Sequence, residues 1–250
     1  MNKRGRHRGY RDEFASAYDA LTFNVPYDEI AEYYNEILCS LTNGKQLLDM
    51  GCGTGNLTVR LARLGFDVIG QDASSEMLTI ASAKSAKVRW ICQDMAQTEL
   101  AGSVDAIIST LDSINHLKNA KEMEKCFQAA ARNLKDGGVF AFDVNTIYKH
   151  REILGSNTFV YDVDGVYCVW QIEFDPKDNG VDIELDMFFE EGDGAYVRGY
   201  ESFREVAVSE EELRGLVEKT GFQIVEIWEY LTRGIPNNKS EKLMIVAKKV

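Results

Sequence analysis

The stretch LLDMGCGTGN, residues 47–56, ends an apolar run on an acid, Asp49, and then sets Gly51, Gly53 and Gly55 at alternate positions, with Cys52 and Thr54 between them. Glycine lets the backbone bend sharply and approach a ligand closely. Such a turn suits a nucleotide-like cofactor, and two cofactor classes use it. Dinucleotide binders carry G-x-G-x-x-G after the first strand; here the sixth position is Asn56, so the spacing is G-x-G-x-G. Asp72, in IGQD, offers two carboxylate oxygens to the hydroxyls of a ribose, which both classes require. Gln93-Asp94-Met95 follows a third strand and adds an acid able to accept a hydrogen bond from an adenine amino group. Thr110-Leu111-Asp112-Ser113-Ile114-Asn115-His116 follows a fourth strand, at the carboxyl edge where open α/β sheets bind ligands. An imidazole suits proton removal near neutrality. His116 therefore either takes a proton from an amine or hydroxyl, or donates to a backbone carbonyl and shapes its loop. Asp112 either orients His116 or a substrate, or caps the following turn. Ser113 and Asn115 either donate to a substrate or serve the turn, where both types are common.

The elements that must hold these residues are legible from periodicity. Helical spacing runs over 12–41 with a break at Pro26. Strands and helices then alternate: strand 46–50, helix 56–64, strand 67–70, helix 75–83 capped by Ser74 or Ser75, strand 88–92, strand 105–110, helix 121–134 stopped by Asp136-Gly137-Gly138, and strand 139–144. This order predicts a parallel sheet with helices on both faces. After residue 155 three segments alternate with period 2, around Cys168–Phe174, Val181–Met187 and Tyr196–Val206, which predicts an antiparallel meander with one wet face. Helix 209–219 opens on Ser209 with Glu212 three residues on, a capping box. Strands 222–230 and 242–248 complete the sheet.

Bulk properties narrow the class. The chain has 250 residues, 45% apolar and 27% charged, and a net charge of −12, as expected of one large globular domain or a domain with an insertion. The acidic balance speaks against broad nucleic-acid or anionic-membrane binding. The exception is the start, where Lys3, Arg4, Arg6, Arg8 and Arg11 stand without an acid; this is read either as a solvated flexible tail or as a tether to RNA or phosphate. Cys39, Cys52, Cys92, Cys126 and Cys168 are odd in number and form no CxxC pair, which fits free thiols in a reducing cytoplasm. His7, His116 and His150 are not spaced for a metal site. No apolar run reaches transmembrane length. A monomer or homodimer is the expected state.

The ordered landmarks LDMGCGTG, IGQD, CQDM, STLDSINHL and FAFDV resemble the class I S-adenosylmethionine-dependent methyltransferases over about residues 14–250. Within them the chain is most similar to a group of small bacterial enzymes with an N-terminal YDALxxxxPY helix and a DSxNxL loop, many without an assigned substrate. The resemblance implies a Rossmann-like, seven-stranded, mostly parallel sheet with helices on both faces. The core would be 12–154 and 208–250, with an N-terminal helical cap, a flexible basic tail at 1–11, and an inserted antiparallel β-meander lid at 155–207 over the acceptor. S-adenosyl-L-methionine would be the cofactor, with no metal. Gly51, Cys52, Gly53 and Gly55 would pass beneath its methionine half, Asp49 would face the ammonium, and Leu111 would give that ammonium a backbone carbonyl. Asp72 would hold the ribose, and Asp94 and Met95 the adenine. Met77 would pack on the adenine or in the core. Tyr18 would approach the cofactor or only pack. His116, Asp112 and Tyr18 are the candidate catalytic residues. No Asn/Asp-Pro-Pro-aromatic loop and no Pro-Cys follows the fourth strand, which disfavours nucleic-acid amino and cytosine C5 acceptors. A small-molecule amine or hydroxyl is expected; an RNA or protein acceptor, or a non-catalytic cofactor-binding module, stays open. Residues 162–193 hold eleven acids and one base, Lys177, which marks either a cationic acceptor or a solvated strand face.

Overall fold

The computed structural model describes residues 12–250; the basic segment 1–11 lies outside them. Helices α1 (Asp12–Leu21) and α2 (Tyr27–Leu41) come first, with Pro26 at the N-cap of α2. There follow β1 (Gln46–Met50), α3 (Asn56–Arg63), β2 (Asp67–Asp72), α4 (Ser75–Lys84), β3 (Arg89–Cys92), β4 (Val104–Ser109), α5 (Ala120–Asn133) and β5 (Leu134–Asn145). Next are β6 (Thr158–Val163), β7 (Val166–Asp175), β8 (Gly180–Glu190) and β9 (Tyr196–Val206), then α6 (Glu210–Lys219), β10 (Phe222–Glu229) and β11 (Lys242–Lys249).

The main sheet has the order β10-β11-β5-β4-β1-β2-β3, and only β11 runs against its neighbours. Consecutive apolar residues in its strands are buried on opposite faces. Leu47 packs with Ile30, Tyr34 and Leu38 of α2 and Leu57 and Leu61 of α3. Leu48 packs on the other face with Phe127 of α5 and Leu213 and Val217 of α6. Burial on both faces is why these strands read as continuous apolar runs rather than alternating ones. Helix starts follow the capping signals: Ser74 Oγ accepts the Met77 N–H at 3.1 Å and Ser209 Oγ the Glu212 N–H at 3.1 Å.

Two expectations need correction. The meander has four strands, not three, in the order β6-β7-β8-β9. The overlooked β6 is joined to β7 by Asp164-Gly165, both at positive φ (48° and 76°), the two-residue turn that suits a twisted hairpin. The Asp136-Gly137-Gly138 stop is not a gap before β5 but an irregularity within it: Leu134 pairs with Val104, the register shifts, and Val139 pairs with Ala106.

The inner face of this second sheet, including Cys168, Ile183, Leu185 and Met187, packs with Phe14, Ala17 and Leu21 of α1 and with Met77 of α4. Its outer face carries the acids. Asp182 and Asp178 pair with Arg204, and Asp186 with Arg198. Both arginines lie just beyond the segment whose acids outnumber its bases, and they pair with Asp178, Asp182 and Asp186 across strands. Among the described residues no helix is long and apolar enough to cross a membrane.

Candidate functional site

The glycine turn links β1 to α3. Gly51, Gly53 and Gly55 have φ of +82°, +54° and +75°, a region that side chains strain to enter. Gly51 and Cys52 both donate their N–H to the Gln71 carbonyl at 2.8 Å, which ties the turn to β2. The three positions differ in what a Cβ would meet. At Gly51 it would lie 2.8 Å from the Ser113 side chain, and at Gly55 2.5 Å from the Trp90 ring. At Gly53 it would meet nothing within 4 Å. Gly51 and Gly55 are therefore required by the protein's own packing, whereas Gly53 borders open space that a ligand can fill.

Two carboxylates meet at this turn. Asp72, at the end of β2, accepts the Gly53 N–H at 2.8 Å on Oδ2 and the Ser74 N–H at 2.9 Å on Oδ1, so it joins the turn to the start of α4. Burial raises its pKa, partly offset by those N–H groups. Asp49 is 1% exposed. Its Oδ2 accepts the Thr58 hydroxyl at 2.6 Å, while its buried Oδ1 has no hydrogen-bond partner. Burial, with the Asp72 charge adding to it, pushes the Asp49 carboxyl up to about 7. The Cys52 thiol is held well above its ordinary range by burial, then by Asp49 and Asp72, and so stays protonated. An orphaned buried carboxylate oxygen beside a second acid is a site short of positive charge. S-adenosylmethionine, with its ammonium and sulfonium, fits that deficit.

This fit carries a pH dependence. A cation docking at Asp49 favours the carboxylate, so the protonated fraction must lose its proton on binding. S-adenosylhomocysteine affinity is expected to fall as the pH drops below about 7 and to level off above it. Calorimetry at pH 6 in two buffers of different ionisation enthalpy, values chosen about one unit below that midpoint, reads the released proton; Asp49→Asn should abolish the release. In the ligand-free chain the sign reverses. The folded state holds this proton more tightly than the unfolded one, so the group stabilises the fold at low pH and that contribution is lost as the pH rises through about 7.

Asp94 and Met95 stand beside this pair, since the Gln93 N–H donates to the Asp72 carbonyl at 3.0 Å. Asp94 is exposed and caps the short 3-10 turn Met95–Gln97 by accepting the Ala96 N–H at 2.8 Å. The Met95 side chain reaches towards Gly51. Met77 is fully buried in the cluster under the second sheet, which places it in the core. Tyr18 is half-buried on α1, edge-on to Phe14 with ring centroids 5.7 Å apart. Its neighbour Asp19 accepts the Thr54 hydroxyl at 2.6 Å and the Asn56 amide at 2.8 Å and pairs with Lys84 at 2.6 Å. That clasp sets α1 over the mouth of the glycine turn, and nothing in the local sequence around Asp19 announces it.

The loop after β4 flanks the other side. Ser113 Oγ donates to the Gly51 carbonyl at 3.1 Å or to Thr110 at 2.8 Å. Leu111 and Asp112 are consecutive residues at positive φ, 53° and 59°, a conformation that costs roughly 1–2 kcal/mol per residue. The fully buried Asp143 of β5 accepts both of their N–H groups, at 2.9 Å each, and also the Tyr34 hydroxyl at 3.1 Å and Lys242 Nζ at 3.0 Å. Asp112 does not cap the following turn with its side chain. Its carboxylate accepts the Asn145 amide at 2.7 Å and lies 3.7 Å from Lys242 Nζ. Burial alone would raise the Asp112 pKa, but Lys242, then Lys149 and His116, outweigh it and hold it at about 2. A carboxylate that weakly basic positions its neighbours rather than taking a proton. Asn115 is committed to structure: its amide donates to the Asn145 and Val206 carbonyls at 3.1 and 3.0 Å, joining the loop to the end of β9. Asn145 also reaches Glu205 of β9 at 3.1 Å. His116 is half-buried, its ring centroid 5.1 Å from Phe203 of β9. The side chains of Tyr34, Asp143, Asn145 and Lys242 thus belong to the site, although only the FAFDV landmark hinted at any of them.

Residues 47–138 match a family described as a methyltransferase domain. A protein of Bacillus subtilis (strain 168) named as a proposed methyltransferase, YqeM, is 32% identical over 240 residues, which cover 94% of this chain and 96% of that one. The crystal structure of an S-adenosylmethionine-dependent methyltransferase from Clostridium acetobutylicum ATCC 824 is 30% identical, with a TM-score of 0.85, covering 95% of this chain and 98% of that one. CalS10 from Micromonospora echinaspora, an amino pentose methyltransferase solved with S-adenosylmethionine, shares the fold at a TM-score of 0.75 and 19% identity, covering 98% of this chain and all of its own (100%).

Proposed function

This chain belongs to the S-adenosylmethionine-dependent methyltransferases of class I fold, and from that premise we propose that it methylates an amine or a hydroxyl of a small molecule. The bound cofactor supplies a methyl group on a positively charged sulfur, which departs without an acid. What the chain must do is align the acceptor with that methyl group, exclude water and receive the acceptor's proton. Alignment of this kind supplies roughly 7–11 kcal/mol of the barrier. Asp49 and Asp72 favour a cationic donor, Gly53 leaves it room, and α1 clasped through Asp19 covers it.

The observation that carries the acceptor half is His116. It is the histidine of the loop whose Ser113 touches Gly51, and it stands under the second sheet at Phe203. We assign it the proton. The ion pair with Lys242 suits Asp112 to orienting the loop rather than to taking that proton. Tyr18, on the helix that closes over the turn, completes the wall. The antiparallel sheet then serves as the lid above the acceptor, anchored to the loop through Val206 and to the end of β5 through Glu205. Fold likeness to an amino pentose methyltransferase makes amino sugars the first acceptors to try. The net charge of −12 speaks against RNA as the acceptor. Exposed thiols at Cys39 and Cys92 fit a place in the cytoplasm.

His116→Ala is expected to leave S-adenosylhomocysteine affinity unchanged while kcat falls by about 10²–10⁴-fold, the usual contribution of a general base. Calorimetry and turnover of an amine panel measure the two effects. A matching loss of binding would assign His116 to loop support instead.

A further inference from the structure

Resting on S-adenosylmethionine as the methyl donor, we propose that Asp143 is a positioning residue that aims the Leu111 carbonyl at the cofactor's methionine ammonium. Leu111 and Asp112 keep a left-handed backbone that side chains rarely adopt. Such strain persists only where the surroundings over-determine it, and it collects at functional sites. Here the determinant is one carboxylate. Asp143 Oδ2 accepts the Leu111 N–H and Oδ1 the Asp112 N–H, both at 2.9 Å.

The direction of the carbonyl follows from this. In a trans peptide the N–H and C=O point opposite ways. An Asp112 N–H pinned on Asp143 turns the Leu111 carbonyl away from Asp143. Strand β4, which carries the loop, lies between β5 and β1. Asp143 is on the β5 flank and the glycine turn on the β1 flank, so a carbonyl turned from the first faces the second. The contact between Ser113 and Gly51 shows that the loop reaches that turn.

The aim is held from behind. Tyr34 donates to Oδ2 at 3.1 Å and Lys242 to Oδ1 at 3.0 Å, so each oxygen accepts two hydrogen bonds and the carboxylate is saturated. Asp143 is 0% exposed, and water cannot replace a partner. An amide at this position would set an NH2 donor against an N–H or an ammonium and release one of the two loop bonds.

The test compares two ligands on the full-length protein. S-adenosylhomocysteine carries the amino-acid arm; 5′-methylthioadenosine has the same nucleoside and sulfur without it. Asp143→Asn is expected to weaken the first about tenfold or more, the loss of one hydrogen bond to a charged group, and to leave the second at its wild-type affinity. Tyr34→Phe keeps the core volume and both loop bonds. It should show the same selectivity to a smaller extent, and it carries the test alone if the Asp143 variant does not fold. Equal weakening of both ligands, or no weakening of either, overturns the inference while the donor assignment stands. A wild-type protein that binds neither ligand overturns the donor assignment and this inference with it.

Discussion

Asp72→Ala is expected to weaken S-adenosylmethionine and S-adenosylhomocysteine binding by about two orders of magnitude or more. The side chain does two jobs with one carboxylate. It accepts the Gly53 and Ser74 N–H groups, which shape the glycine turn and the start of α4, and it keeps lone pairs on both oxygens for the two ribose hydroxyls. Hydrogen bonds to a charged group contribute about 1.5–3 kcal/mol each. Two of them are worth roughly 3–6 kcal/mol, and each 1.4 kcal/mol is tenfold in affinity. Stability should fall less than binding, because the loss of those two N–H bonds is partly offset by removing a charge whose pKa burial has raised. Calorimetry and a thermal melt separate the two effects, and Asp72→Asn, which retains one acceptor oxygen, should fall between. Cofactor affinity within a few-fold of wild type would mean that the ribose is held elsewhere.

The glycines predict a sharper contrast. Gly53→Ala should fold, since its Cβ meets no atom within 4 Å. At φ +54° the substitution costs about 1–2 kcal/mol, or a few degrees of Tm in a chain this long. Yet the added methyl fills the side left open for the cofactor, and binding should fall at least about tenfold, the equivalent of 1.4 kcal/mol. Gly55→Ala should do the reverse. Its Cβ would lie 2.5 Å from the Trp90 ring and 3.0 Å from the Ala81 side chain, so overpacking of about 1–3 kcal/mol adds to the strain. A larger fall in Tm is expected there, with weaker binding only as a consequence. Full cofactor affinity in Gly53→Ala would move the donor site away from this turn.

The proposed donor half could be read from the sequence because its residues are local to the strand ends. Asp49, Gly51, Gly53, Gly55, Asp72 and Asp94 each stand within a few residues of the end of a strand, and parallel strands deliver those ends to one edge of the sheet. Chemistry and placement are therefore written in the same short segments. The seven strands of the main sheet were legible for a related reason: apolar runs bounded by glycine or a helix cap leave few alternatives. Strand β6 escaped because its inward residues Phe159, Tyr161 and Val163 are only half-buried at the sheet's edge, and its hairpin turn is two residues long.

The supports of the acceptor loop had no such signature. Asp143 meets Tyr34 across 109 residues and Leu111 across 32, and an acid in FAFDV reads no differently from any acid at a strand end. The partners of Asp178, Asp182 and Asp186 were not legible because Arg198 and Arg204 come from the next strand. The sequence by itself determined the fold class, because backbone periodicity and turn chemistry are short-range, and its ordered landmarks pointed to the cofactor through the family they resemble. Only the tertiary structure decided which charges are cancelled, that Asp112 is ion-paired, that Asn115 and Met77 are committed to packing, and that Asp143 holds a strained loop. Those outcomes depend on burial and on partners brought together from distant segments.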